Sequence, residues 1–127
     1  MITLIEPFEF DELHIPQLPE RARVHGLIWH GLPITDGAAP DERFLTPWRA
    51  LGAQIVSDVL AGGRVAVHCK GGLGRAGTVA AMILLDSRAA TSAEDAMRQV
   101  RAVRDKAIET VAQEQFLKLW QHGSVRA

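Results

Sequence analysis

The run Arg64-Val65-Ala66-Val67-His68 is followed within a few residues by four glycines, Gly71, Gly72, Gly74 and Gly77, and then by an apolar stretch from Val79 to Leu85. No other feature restricts the fold as much. Gly62-Gly63 stops whatever helix precedes it, and the β-branched, mostly apolar run after that stop reads as a central, fully buried strand. Val79 to Leu85 is apolar nearly all round, as a buried helix is, and that helix starts near Arg75. A buried strand feeding a glycine turn and a buried helix is an α/β unit. Ligands of such sheets bind in the crevice beyond the carboxyl ends of the strands.

The rest of the chain fits this unit. Ile2 to Ile5, closed by Glu6-Pro7, reads as a buried strand, and Leu27-Ile28-Trp29 leading to Leu32 as a second. Between them, Pro16 and Pro19 mark an irregular loop, with one helical turn at Glu9 to Leu13. Pro33 to Asp41 is dense in breakers and forms a loop after the second strand. Trp48, Leu51, Ile55, Val59 and Leu60 recur at helical spacing, with Thr46 as N-cap and Pro47 at the first helical position. Ser92 with Asp95 opens a further helix, and Thr110 with Gln113 forms a capping box that opens the last. Trp29, Trp48 and Trp120 are expected in the core. The expected fold is a small, mostly parallel central sheet with helices on both faces, in a single domain spanning residues 1–127.

Composition narrows the function. With 14 Lys+Arg against 15 Asp+Glu, the net charge of −1 argues against a nucleic-acid or acidic-membrane binder. Any anion must be held locally. The single cysteine, Cys69, excludes an internal disulfide and cysteine-cluster metal sites and points to a reducing compartment. No apolar run approaches the roughly 20 residues that span a bilayer, and the first residues lack a signal-peptide pattern. A cytoplasmic protein without metal or cofactor is the expectation.

Cys69 and Arg75 bracket the glycine loop, with five residues between them. Glycines let successive backbone N–H groups converge on one anion, and the following helix adds the positive end of its dipole. Wrapping the loop around an anion brings its ends together, so that a sulfur and a guanidinium face one ligand. Arginine offers a planar pair of donors that matches two phosphate oxygens, and the same donors stabilise a thiolate nucleophile. Neither GxxxxGK[ST] nor GxGxxG is present. His-Cys-x-x-Gly-x-x-Arg at the end of a strand is the stronger signal.

In these residues the chain resembles the cysteine-based protein tyrosine phosphatase superfamily, whose signature is His-Cys-x5-Arg-Ser/Thr, and within it the dual-specificity branch and its kinase-associated-phosphatase-like group. HCKGGLGR carries the likeness. LPITDGAAPD resembles that group's general-acid loop, VRDKAIETVAQEQFLKLW its closing helical segment, and the match runs from about Ile2 to Trp120. The resemblance implies a protein phosphatase acting on phosphotyrosine, and on phosphoserine or phosphothreonine where the pocket is shallow, in a phosphorylated protein or peptide. Cys69 then forms a cysteinyl-phosphate intermediate. Lys70, Gly71, Gly72, Leu73, Gly74 and Arg75 hold the phosphate, and Asp36 serves as general acid and then base. Asp41 is the rival acid and fits better as a helix cap; on its own, Asp36-Gly37 reads as a turn pair. His68 supports the loop, and Gln113 either positions the hydrolytic water or caps its helix.

The chain departs from the pattern twice. Ala76 stands where a Ser or Thr hydroxyl usually bonds the sulfur, which implies slow turnover of the phosphoenzyme, with Thr78 a doubtful substitute. Relatives carry further strand and helix before Ile2, so the chain reads as shortened at the N-terminus, with an open sheet edge that a second copy can cover in a homodimer. Two alternatives stand beside the phosphatase: a phosphate-binding module that traps phosphoproteins with little turnover because of Ala76, and a phosphatase for a non-protein ester such as a phosphoinositide. Rhodanese-like sulfur transfer also uses a cysteine loop, but it does not account for Arg75 and Asp36.

Overall fold

The computed structural model describes residues 1–123. In chain order the elements are β1 (Ile2–Thr3), α1 (Pro7–Glu12), α2 (Leu18–Val24), β2 (His30–Gly31), α3 (Glu42–Leu60), β3 (Val67–His68), α4 (Gly74–Asp86), α5 (Ala93–Val103) and α6 (Val111–Gln121). The three strands form one parallel sheet in the order β2-β1-β3, with Ile2 opposite His30 and Val67, and Thr3 opposite Gly31 and His68. Ile2 and Thr3 are both fully buried. Neighbouring strand residues point to opposite faces, so both faces of β1 are covered, as the sequence implies. Helix α4 packs against β3, α5 and α6, and Val79, Ala81 and Met82 on it have no exposed surface.

The sheet centre is β1. The expected central, fully buried strand at Arg64 to His68 is instead a half-buried edge strand: Arg64 and Ala66 are exposed, and Val65, Val67 and His68 are partly so. A short apolar run looks the same at the edge as in the middle once a helix covers one face. The second strand lies at His30–Gly31, beyond Leu27-Ile28-Trp29. Leu27 and Ile28 are 46% and 74% exposed, because the Leu27 amide donates to the Ala22 carbonyl as the chain leaves α2. Trp29 is half-buried and outside the core. Its ring folds over Gly31, where a Cβ would lie 2.5 Å from a ring carbon.

Two helix starts also differ. Residues 18–24, expected as loop, form α2, because Pro19 falls in the first turn, where its missing N–H costs nothing. Helix α3 begins at Glu42, and the Asp41 carboxylate accepts from the Arg43 amide at 3.0 Å, the capping role expected of Asp41. The chain therefore enters the helix before Thr46. Pro47 lies inside it, and the Thr46 hydroxyl donates to Glu42. The Ser92 and Thr110 caps stand where the sequence puts them, each accepting from the backbone amide three residues on. Phe44 stacks on Trp48 and Phe116 on Trp120, in line with the core placement of Trp48 and Trp120.

Candidate active site

Strand β3 ends at His68, and Cys69, 9% exposed, begins the loop that runs into α4. Gly72 has φ +71°, a conformation L side chains rarely adopt. Gly74 opens α4 under close contact: a Cβ there would meet the Glu109 carboxylate at 2.6 Å and the Gln113 amide at 3.0 Å. Through these two glycines the loop runs into the N-terminus of α4, where the helix dipole is positive.

Arg75 is 1% exposed, and its five donors divide into two sets. Nη1 donates to Glu9 Oε2 at 2.7 Å and to the Ile34 carbonyl at 3.0 Å, while Nη2 donates to Glu9 Oε1 at 2.9 Å. The second Nη2 hydrogen remains, with Asp36 Oδ1 at 3.6 Å, and the buried Nε–H has no partner among the described residues. Nε and Nη2 share one edge of the planar fork, so Glu9 fixes the guanidinium from its end while a complete two-donor edge stays open. A buried donor without a partner is costly, and a tetrahedral oxyanion satisfies both positions. Burial works against the Arg75 cation, but the hydrogen bonds and charge of Glu9, with Asp36 and Cys69 adding to them, raise its pKa further. The arginine is a permanent cation.

Asp36 extends from the loop after β2, its side chain 67% exposed, and reaches the same guanidinium. The three residues expected to act, Cys69, Arg75 and Asp36, are thus assembled around one loop. Lys70 and Gly71 are exposed on its outer side, and Gly72 and Leu73 are half-buried.

His68 lies under the loop. Its Nδ1 is 3.2 Å from the Cys69 carbonyl, which can only accept, so Nδ1 carries a hydrogen. Nε2 is 2.7 Å from Thr3 Oγ1, which also accepts from Trp29 Nε1 at 2.8 Å. In the neutral ring the Thr3 hydroxyl therefore donates to Nε2, and the partners on either side assign the tautomer. Ala76 is buried beside the sulfur loop without a hydroxyl, and Thr78 Oγ1 donates to the Gly74 carbonyl at 2.7 Å. Thr78 has spent its proton on its own helix. The Gln113 amide is engaged in the cap: Oε1 accepts from the Glu109 and Thr110 amides, and one hydrogen of Nε2 goes to the Ala38 carbonyl. This supports the capping role over the water-positioning one.

Sequence reasoning missed Glu9, Thr3 and Trp29. The buried arginine was the one available signal for Glu9, since an interior cation requires a carboxylate nearby. Nothing in the sequence singles out Thr3.

A cysteine and an arginine thus stand at the two ends of a glycine loop at the carboxyl edge of a parallel sheet, with an aspartate 3.6 Å from the arginine, in the fold of a phosphatase. Residues 23–117 match the family model "Swiss Army Knife protein, DSP-PTPase phosphatase domain", and the chain belongs to that dual-specificity phosphatase family, whose members hydrolyse phosphate monoesters. Among similar proteins, cyclin-dependent kinase inhibitor 3 of Rattus norvegicus is 32% identical over 112 residues, covering 86% of this chain and 50% of the relative. That of Homo sapiens is 31% identical over 110 residues, with the same coverage. The chain spans about half the length of these relatives. Among solved structures, kinase associated phosphatase with its catalytic-site cysteine changed to serine superposes with a TM-score of 0.84 at 26% identity, covering 99% of this chain and 70% of that one. Tk-PTP in its active form gives a TM-score of 0.78 at 32% identity over 95% and 76% of the two chains. The resemblance carried by HCKGGLGR is borne out at the level of family and fold. Among the described residues no helix is long and apolar enough to cross a membrane.

Proposed function

We propose that this domain hydrolyses phosphate monoesters of phosphorylated proteins or peptides through a cysteinyl-phosphate intermediate. The observation that carries the reading is the open Nε/Nη2 edge of a buried arginine whose other donors are already held. The incoming phosphate presents two oxygens to that edge and a third to the loop amides of Lys70 to Gly74. Cys69 Sγ attacks phosphorus as the ester oxygen departs, and Asp36 gives that oxygen its proton. In the second step Asp36 takes a proton from water, the water oxygen attacks phosphorus, and phosphate leaves with the thiolate restored. Positive charge and fixed donors around the transferring group supply most of the rate.

Phosphotyrosine is the proposed principal substrate, with phosphoserine and phosphothreonine admitted if the pocket is shallow. Membership of the dual-specificity phosphatase family supports a phosphoamino-acid substrate, and the cationic Lys70 on the exposed loop favours an acidic one without choosing among phosphoamino acids. The free outer edge of β3 is the surface on which a second copy can pair, which a measured solution mass decides. Turnover of p-nitrophenyl phosphate and a phosphotyrosine peptide in the presence of a chelator tests the chemistry. Activity in the wild type and loss in Cys69→Ser support it. A wild type that binds phosphopeptide without turnover, or one that needs a metal, overturns it.

A further inference from the structure

Ile108 is a β-branched residue, 3% exposed, with φ +62°. L residues of this shape avoid that region, and where they occupy it the surrounding structure must hold them there. The holding groups can be named. Arg101, on the last turns of α5, donates from Nε to the Ala107 carbonyl and from Nη2 to the Ile108 carbonyl, both at 2.9 Å. Its Nη2 also lies 3.8 Å from Glu114 on α6. A planar fork spans two successive carbonyls and fixes the peptide between them, which a single-point cation cannot do.

The strained turn points its remaining groups at both catalytic loops. The Ile108 amide donates to the Leu73 carbonyl of the phosphate loop at 3.1 Å. Arg104, on the same connector, donates to the Gly71 carbonyl at 3.1 Å. Two residues beyond Ile108, Thr110 Oγ1 donates to the Gly37 carbonyl at 2.9 Å, and Gln113 Nε2 to the Ala38 carbonyl at 3.2 Å. Gly37 and Ala38 directly follow Asp36. Gln113 is wholly buried, and its amide lies 3.0 Å from where a Cβ on Gly74 would stand. One segment therefore grips the phosphate loop from behind and the acid loop from its far side.

We infer that residues 101–113 form a strained bracket that sets the acid loop against the phosphate loop, with Arg101 as the positioning residue that keeps Ile108 in its left-handed conformation. Arg101 touches neither loop. It acts through the peptide it pins, and its effect on chemistry is the accuracy with which Asp36 meets the leaving ester oxygen of a phosphate held at Arg75. The inference rests on the phosphatase reading above for its catalytic consequence, and its geometric content is independent of turnover.

The experiment compares the wild type with Arg101→Gln, Arg101→Lys, Ile108→Gly and Arg101→Gln/Ile108→Gly, using phenyl phosphate, p-nitrophenyl phosphate and inorganic tungstate as probes. Phenolate is a poor leaving group that needs its proton from Asp36, whereas nitrophenolate needs it far less. Arg101→Gln is expected to lower kcat for phenyl phosphate by on the order of 10²-fold, the penalty of a misplacement of about 1 Å, with a smaller fall for p-nitrophenyl phosphate and weaker tungstate binding. Arg101→Lys, which folds with its charge retained, is expected to lie between. Ile108→Gly also deletes a core side chain, so recovery is read against Ile108→Gly alone: in that background Arg101→Gln is expected to add little further loss, because glycine adopts φ near +60° without restraint. A uniform fall with both esters, unchanged tungstate affinity, or an undiminished further loss from Arg101→Gln in the Ile108→Gly background overturns the bracket. If the wild type does not turn over any ester, the phosphatase reading fails. The bracket is then decided by tungstate affinity and by hydrogen exchange of residues 36–38 and 70–74, which must quicken in Arg101→Gln and change little between Ile108→Gly and the double variant.

Discussion

Glu9 and Arg75, 66 residues apart in the sequence, meet through two hydrogen bonds of 2.7 and 2.9 Å in a buried pair that ties α1 to the first turn of α4. Glu9 Oε2 also accepts from the Glu6 amide at 2.8 Å, so the carboxylate is fixed by its own helix before it fixes the arginine. The pair is structural and chemical at once. It aims the guanidinium, and by occupying the end of the fork it decides which edge is left for the substrate.

Breaking this pair from one side leaves a buried charge uncompensated. Glu9→Ala should therefore destabilise the fold by about 3–5 kcal/mol, read as a lowered urea midpoint. It should also weaken phosphate or tungstate binding, because the open edge of Arg75 loses its orientation. A variant as stable as the wild type would show that the ion pair is not the tie described.

The same pair sets an acid limit on stability. The hydrogen bond from Arg75 holds the Glu9 carboxyl below its ordinary value of 4.5, against burial, which pushes it up. Because the folded pKa lies below the unfolded one, the stabilisation is complete above about pH 4.5 and is lost as pH falls through the lower folded value. Arg75, with its pKa raised, stays charged throughout. Urea midpoints between pH 7 and 3 should fall more steeply for the wild type than for Glu9→Gln, which starts lower and lacks this titration. Parallel curves would place the acid limit in other carboxylates.

Ala76 predicts where the reaction slows. Neither Ala76 nor Thr78 offers the sulfur a hydroxyl, since the Thr78 proton is committed to Gly74. A hydrogen bond to a charged group contributes about 1.5–3 kcal/mol, so a restored donor that favours thiolate departure should speed that step by roughly tenfold or more. Ala76→Ser should raise the steady-state rate and shrink any pre-steady-state burst of released phenol. An unchanged burst and rate would mean that breakdown of the phosphoenzyme is not limiting.

Asp36 stands 3.6 Å from Arg75 with most of its side chain in solvent, a position suited to delivering a proton to the ester oxygen of a phosphate whose other oxygens are held at the open edge. Asp36→Asn should lower kcat for phenyl phosphate by about 10²–10⁴-fold, and much less for p-nitrophenyl phosphate. Asp41→Asn should leave both rates unchanged, because Asp41 is engaged with the Arg43 amide at the start of α3. Equal losses in the two variants would remove the distinction between acid and cap.

The reactive loop was legible in the sequence because its chemistry is local: strand, cysteine, glycines and arginine fall in one contiguous stretch, and loop closure brings its ends together. Asp36 was singled out only through the likeness of LPITDGAAPD to a general-acid loop, since on its own Asp36-Gly37 reads as a turn pair, and β2, which its loop follows, is separated from β3 by β1. Glu9 was not legible, since its partner is fixed only once α1 folds against α4. The placement of β3 at the sheet edge was hidden as well. Val65 and Val67 look like core residues, and only the pairing of β1 with both neighbours shows that, among the described residues, β3 pairs on one side alone. Ile108 gave no sign, because a left-handed isoleucine has no sequence signature and its restraint by Arg101 is a tertiary fact.

The chain of hydrogen bonds from Trp29, just before β2, through Thr3 on β1 to His68 on β3 ends at the Cys69 carbonyl. Thr3→Val keeps the shape of the side chain but removes the oxygen that accepts from Trp29 Nε1 and donates to His68 Nε2. His68 is part-buried, so the unmet group should cost about 1–3 kcal/mol, and the freed ring can turn away from the Cys69 carbonyl. Stability and kcat should both fall in Thr3→Val, whereas Thr3→Ser, which retains the hydroxyl, should keep kcat near the wild-type value. If Thr3→Val loses stability while kcat is unchanged, the network holds the sheet and does not orient His68 against the nucleophile loop. A matched loss in the valine variant, with recovery in the serine variant, places Thr3 among the residues that position Cys69.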